Sequence, residues 1–231
     1  MKHSLAVASL GLGLLCSSAA AQEHTSHARA TDTMRRHFGD KLPDVKLLND
    51  RGEPVNVFTD LIKDRVVVIS FFYTQCRGTC PGTGLLITKL RKELAPDFGR
   101  SLRFVSISVE PEVDDVKAIK DYAQLNRDDV DNPDVPDWHF LTGGKEDITR
   151  FRRALGYYEA DPKIDADPTQ HAAMLIIGNQ ATGRWAMIPT AIGWERVKSK
   201  IIRICGWSAQ QRYAEVNAEL DQQKTKASAS R

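Results

Sequence analysis

Val66-Val67-Val68-Ile69-Ser70-Phe71-Phe72-Tyr73-Thr74-Gln75-Cys76-Arg77-Gly78-Thr79-Cys80-Pro81 is the stretch on which the fold turns. Its first seven residues form a continuous apolar run, the pattern of a strand covered on both sheet faces. Its last residue, Pro81, suits the first turn of a helix, where a missing N–H costs nothing. A helix is expected over about 82–94, with Leu86, Leu90 and Leu94 at four-residue steps on one face. Two cysteines four positions apart therefore sit where a strand hands over to a helix.

Working outward, Val45–Leu48 and Val55–Phe58 flank Asn49-Asp50-Arg51-Gly52, a hairpin signal. Leu102–Val109 reads as a second central strand and 112–126 as a helix burying Val116, Ile119, Tyr122 and Ala123. Trp138–Leu141 reads as a short strand, with Thr142 capping the turn into a helix over 146–155. After an acidic loop over 157–170 come strands over 172–177 and 184–188. A last helix over 194–205 buries Val197, Ile201 and Ile204. The order β-α-β-α-β-α-β-β-α behind an amino-terminal hairpin predicts an α/β sandwich on a mixed sheet. No repeat and no second domain is expected.

The chain has 231 residues. Lys2, the apolar run Leu5–Leu15 and Ala19-Ala20-Ala21 form a secretory signal pattern over 1–21. The run is shorter than the roughly 20 residues of a membrane span, so a retained anchor is the weaker reading. Leu15 before Cys16 argues against lipidation there. Residues 22–40 read as a flexible polar leader, 41–205 as the domain, and 206–231 as a partly helical to disordered tail.

Removing the first 21 of 231 residues leaves 210, takes the formal charge from +2 to +1, and reduces four cysteines to Cys76, Cys80 and Cys205. Such a balance favours neither nucleic acid nor an anionic membrane. Three is an odd number, so at least one thiol is not in an internal disulfide. A periplasmic monomer is expected, with Cys76 and Cys80 as a functional pair and Cys205 a small buried residue of the last helix.

Cysteines at i and i+4, on or entering a helix, have Cα atoms roughly 6 Å apart, close enough for a disulfide or a shared metal. The helix amino terminus favours the thiolate, which is both nucleophile and ligand, and Arg77 adds positive charge. An inert structural disulfide is less favoured, because so small a loop gains little from closure. A third ligand must come from elsewhere. His3 leaves with the signal, and His24, His27 and His37 lie in the leader. His171, where a polar loop meets a strand, and His139, beside Trp138, remain as candidates.

The run FFYTQCRGTCPGT, followed in order by LRFVSISVEPEVDD, WHFLTG and QHAAMLIIGN, closely resembles the Sco/SenC family over about residues 41–205. That resemblance implies a thioredoxin-like fold and a copper chaperone in the assembly of the binuclear copper centre of cytochrome c oxidase. It also implies a ligand set of Cys76, Cys80 and His171, and a copper-receiving partner such as an oxidase subunit. Two thiolates and an imidazole suit soft Cu(I) with net charge −1, and Cu(II) would make the site neutral. Zn(II) would want a fourth ligand. Two departures stand out: Glu110-Pro111 replaces the usual aspartate-proline, and Gln170 replaces an aspartate before the histidine.

The alternative is a thiol-disulfide oxidoreductase acting on a partner's cysteines through the Cys76–Cys80 pair, with Cys76 the attacking thiol because it precedes the helix. The C-x-x-x-C spacing and the superfluous His171 argue against a general one. A peroxide-consuming enzyme is a third and weaker reading. Cleavage after Ala21 would also expose Gln22-Glu23-His24, whose amine, two amides and imidazole match the square-planar preference of Cu(II).

Overall fold

The computed structural model describes residues 42–127, 132 and 134–205. The signal, the leader with its three histidines and Gln22-Glu23-His24, Cys16 and the tail all lie outside the described residues. Among the described residues, no helix is long and apolar enough to cross a membrane.

The elements are β1 (Lys46–Asn49), β2 (Pro54–Asn56), a π-helical turn (Val57–Ile62), β3 (Val66–Phe72), α1 (Cys80–Phe98), β4 (Leu102–Ser108) and α2 (Val116–Asn126). They continue with β5 (Asp137–Thr142), α3 (Lys145–Ala154), α4 (Pro162–Asp165), β6 (Met174–Asn179), β7 (Arg184–Pro189) and a helix α5 over residues 194–205. The strands form one sheet in the order β2-β1-β5-β4-β3-β6-β7. The pairs β3–β4 and β4–β5 are parallel, and β1–β2, β1–β5, β3–β6 and β6–β7 are antiparallel. The expected α/β sandwich on a mixed sheet, with its amino-terminal hairpin, is present.

β3 is apolar except for Ser70, whose buried hydroxyl pairs with that of Ser106 at 2.7 Å, because both its faces are covered. Val66, Val68 and Phe72 pack with Ile87, Leu90 and Leu94 of α1, Ile119 and Ala123 of α2, and Val197 and Ile201 of α5. Val67 and Ile69 face the other way, toward Ile148 and Phe151 of α3 and Ile62 of the π-helical turn. Each such side chain contributes roughly 2 kcal/mol of burial free energy. β3 therefore ends at a fixed height, and the cysteine loop starts from there. The hairpin turn is tied by Asn49, whose Oδ1 accepts from the N–H groups of Arg51 and Glu53, both at 2.9 Å. Gly178 on β6 is required by close approach: a Cβ there would lie 2.2 Å from the Trp185 ring.

Several boundaries differ from expectation. α1 starts at Cys80 itself rather than at 82, and runs through Pro96 to Phe98. Pro96 has no N–H to give the Lys92 carbonyl and its ring crowds that carbonyl, and the helix ends two residues later at Phe98. α2 starts at Val116, because Val113 and Asp114 N–H both turn back to the Glu110 carbonyl (3.0 and 2.8 Å), and Asp115 then caps the helix through Ala118 N–H at 2.8 Å. Val116 and Tyr122 are half-buried rather than buried. Thr142 does not cap α3; its hydroxyl donates to the Asp114 carbonyl at 2.6 Å. Cys205 is buried on α5, as expected, and burial pushes its thiol up to about 12.

Candidate metal centre

Cys76 and Cys80 do not share a helix. Cys76 belongs to the loop of residues 73–79, and its N–H donates to the Tyr73 carbonyl at 3.2 Å. Cys80 is the first residue of α1 and is buried against the core. Neither is in a disulfide. The curl of the loop brings the thiols into hydrogen bonding with each other.

The two sulfurs are tuned in opposite directions. Burial acts to raise Cys76, but hydrogen bonds from the Cys80 thiol, the Cys80 and Gly78 N–H groups and the Tyr73 hydroxyl outweigh it and leave Cys76 below its ordinary value. The N–H of Cys80 is one of the amides that a helix amino terminus leaves without an intrahelical partner, and here it is spent on sulfur. Burial, followed by the thiol hydrogen bond to Cys76, pushes Cys80 up to about 12. The pair therefore has a thiolate-prone outer member and a protonated inner one. Arg77 is exposed.

A residue with no obvious sequence signal braces this loop. Asp114 is completely buried, and its carboxylate accepts from Thr74 N–H (3.1 Å), the Thr74 hydroxyl (2.5 Å) and the Ser108 hydroxyl (2.6 Å). It fixes the chain two residues before Cys76 against the end of β4. Glu110, one of the departures from the family pattern, is raised by burial first and then by Asp114 and Glu112.

His171 follows a 3-10 turn (Pro168–Gln170) and sits half-buried just before β6. Its Nε2 lies 3.0 Å from the Asp165 carbonyl oxygen. Its ring stands perpendicular to that of Tyr157 at a centroid distance of 6.0 Å, and Tyr157 stacks on Phe71 of β3 at 4.7 Å. Tyr157 also donates its hydroxyl to the Ala172 carbonyl at 2.8 Å. A chain of rings thus links the histidine segment to the strand that launches the cysteine loop.

Cys76, Cys80 and His171 line one cavity of about 110 Å³, together with Tyr73, Tyr157 and Met174. They share its wall without converging: among the described residues, no group of three or more His, Cys, Asp or Glu side chains is close enough to hold a metal ion. The donor chemistry fits a soft ion, with two sulfurs and one imidazole on a partly apolar wall. His139 is not part of this wall. It lies on β5 opposite Val105, its Nε2 is buried with no hydrogen-bond partner among the described residues, and burial followed by Arg103 pushes it down to about 4. At neutral pH it is an uncharged sheet residue.

The second departure also has a structural context. Gln170 adds no charge, but its amide donates to Asp167 Oδ2 at 2.7 Å. Hydrogen bonds from the Thr169 hydroxyl and then Gln170 keep Asp167 below the ordinary carboxylate value, and Asp167 interacts electrostatically with His171. A negative charge therefore stands near the histidine, three residues earlier than the aspartate it replaces.

The model of one family, SCO1/SenC, matches residues 35–206. The chain belongs to the SCO1/SenC family. A SCO1 protein homolog of Bacillus subtilis is 34% identical over 88 residues, 38% of this chain and 42% of that protein. The chain spans about half or less of the length of the curated relatives it matches. Among solved structures, a SCO1/SenC family lipoprotein from Bacillus anthracis shares 25% identity with a TM-score of 0.57, covering 70% of this chain and 93% of that one. Bradyrhizobium japonicum ScoI with copper bound shares 22% identity and the fold, with a TM-score of 0.52, over 69% of this chain and 96% of that one. The thioredoxin-like α/β architecture implied by the sequence resemblance is the fold of these Sco relatives.

Proposed function

We propose that this protein is an exported, periplasmic copper chaperone that takes its metal as cargo on Cys76, Cys80 and His171. In this reading it passes the metal to the copper centre of a cytochrome c oxidase-type subunit or another exported cuproprotein. The observation that carries the proposal is the single cavity lined by two thiols and an imidazole from segments almost a hundred residues apart in sequence. Membership of the SCO1/SenC family and the copper bound in the Bradyrhizobium relative support it.

Cys76, thiolate-prone and less buried, meets Cu(I) first. Cys80 then ligates by releasing its proton to solvent, and His171 adds a neutral lone pair. The three donors close on the ion from positions already around one cavity. Release to a client proceeds by exchange of these ligands for the client's own. Oxidation of the pair to a disulfide, with two electrons and two protons passing to a disulfide-bearing partner, removes both sulfur ligands and gates loading by redox state.

The test is copper quantification on the reduced mature protein, by anaerobic competition with a chromophoric Cu(I) chelator. One Cu(I) per reduced chain and none on the disulfide form is expected. Equal uptake by both forms would refute the proposal.

The opposite tuning of the thiols also supports a second reading, a thiol-disulfide oxidoreductase. Cys76 thiolate would attack a client disulfide and expel one client thiolate. Cys80, its proton passing to that thiolate, would then attack the mixed disulfide and leave Cys76–Cys80 oxidised and the client reduced. That cycle does not use His171.

A further inference from the structure

His171 Nε2 faces the backbone oxygen of Asp165 at 3.0 Å. A carbonyl oxygen only accepts, so Nε2 carries the proton of this hydrogen bond. In the neutral ring the lone pair then resides on Nδ1. Ligating histidines commonly donate their second nitrogen to a carbonyl or carboxylate, which fixes the tautomer and the ring plane.

The carbonyl is held in place by an unusual amount of structure for a polar loop. Asp165 ends the one-turn helix α4. Its carboxylate accepts both guanidinium nitrogens of Arg152, at 2.6 and 2.9 Å, one from Arg153 at 2.8 Å and the Glu159 N–H at 3.0 Å. Arg152 also donates to the Tyr157 carbonyl at 3.1 Å. The Arg152 and Asp165 side chains are only 7% and 5% exposed. Arg152 stands on α3, so a rigid helix reaches across to fix both the residue that holds the histidine nitrogen and the tyrosine whose ring stands perpendicular to the imidazole. Buried ion pairs contribute modest net stability, and in some proteins they serve to specify geometry.

We infer that the Arg152–Asp165 pair is a positioning device that locks His171 in its Nε2–H tautomer and so presents Nδ1 as the nitrogen for the soft metal. The inference rests on the proposed role of His171 as a ligand. Neither Arg152 nor the side chain of Asp165 touches the metal; both act through the Asp165 carbonyl. A pair that merely stapled the loop would leave the tautomer and the ligating nitrogen indifferent to its loss.

The experiment uses reduced protein labelled with nitrogen-15 in histidine, observed by long-range proton–nitrogen spectra before and after one equivalent of Ag(I). Ag(I) is a soft, diamagnetic monovalent ion whose nuclear spin splits a directly bound nitrogen. The Nε2–H tautomer is expected to dominate without metal, and Ag(I) is expected to split Nδ1 while Nε2 keeps its proton. Asp165→Asn is expected to mix the tautomers and weaken Ag(I) binding about tenfold, while the cysteine signals still respond. Should that variant not fold, Arg152→Lys, which keeps a cation but loses the two-pronged grip, makes the same comparison. Splitting at Nε2 would overturn the inference and leave His171 a ligand. Cysteine shifts with no splitting at either nitrogen would overturn the ligand role itself. An unchanged tautomer and affinity in the folded variant would reduce the ion pair to a staple.

Discussion

The cysteine loop and the histidine segment hold their donors by different means. Cys76 and Cys80 are set largely by each other and by nearby backbone: a thiol–thiol hydrogen bond, the Gly78 and Cys80 amides and the Tyr73 hydroxyl. Asp114 braces the loop from below but does not touch the sulfurs. His171 has no such local set. Its nitrogen is fixed through Asp165 by Arg152 of α3, and its ring through Tyr157 by Phe71 of β3. The sulfurs are thus tuned for reactivity and the imidazole is tuned for position. In the proposed site the thiols can change their chemistry, by metal or by disulfide, while the imidazole stays in register.

The largest expected effect breaks the cysteine side. Cys76→Ser should cost at least about a hundredfold in Cu(I) affinity, because a hard hydroxyl replaces the thiolate-prone ligand. Its thermal midpoint should stay close to wild type, since Cys76 is only half-buried. Anaerobic chelator competition and thermal unfolding on the same sample check both halves.

Breaking the support of the histidine should show in stability as well as in metal binding. Asp165→Asn leaves Arg152 buried against a neutral amide, a loss of about 3 kcal/mol, measurable by urea unfolding. The same ion pair makes a pH prediction. Arg152 holds Asp165 ionised well below the usual carboxylate range, whereas the unfolded chain protonates it near its ordinary value of 3.8. The unfolded state therefore takes up the proton first, and this part of the stability is present above about pH 4 and lost as pH falls below it. Wild type should show a steeper acid loss than the asparagine variant.

The contrast between the regions also explains what could be read from the sequence. The strand β3, the two cysteines and the overall order of elements were legible because an apolar run of both-face residues and a short cysteine spacing are local signals. His171 was one of two candidates by position, and the match of QHAAMLIIGN to the Sco/SenC pattern separated it from His139. The Arg152–Asp165 pair was not legible: its members lie thirteen residues apart in stretches that read as solvated charge, and only the packing of α3 on the loop buries them. Thr142 was assigned to a cap because hydroxyls before helices usually serve there; its tertiary bond to the Asp114 carbonyl took precedence. Gln170 stands where the family has an aspartate, and the turn of residues 168–170 ties it to Asp167, which interacts electrostatically with His171.

A smaller effect sharpens the difference between the two sulfurs. In reduced protein, iodoacetamide should modify Cys76 first as pH rises from neutral, because its thiolate is favoured. Cys80 and Cys205, both pushed up to about 12, should lag well behind. Peptide mapping by mass spectrometry reads the order directly.

The most direct test of the three-donor site is His171→Ala, measured for Cu(I) affinity and for the reduction potential of the Cys76–Cys80 pair in one preparation. The prediction is a loss of Cu(I) affinity of about ten- to a hundredfold with the potential nearly unchanged. Unchanged Cu(I) affinity would contradict the three-donor site and leave the cysteine pair as a redox couple alone.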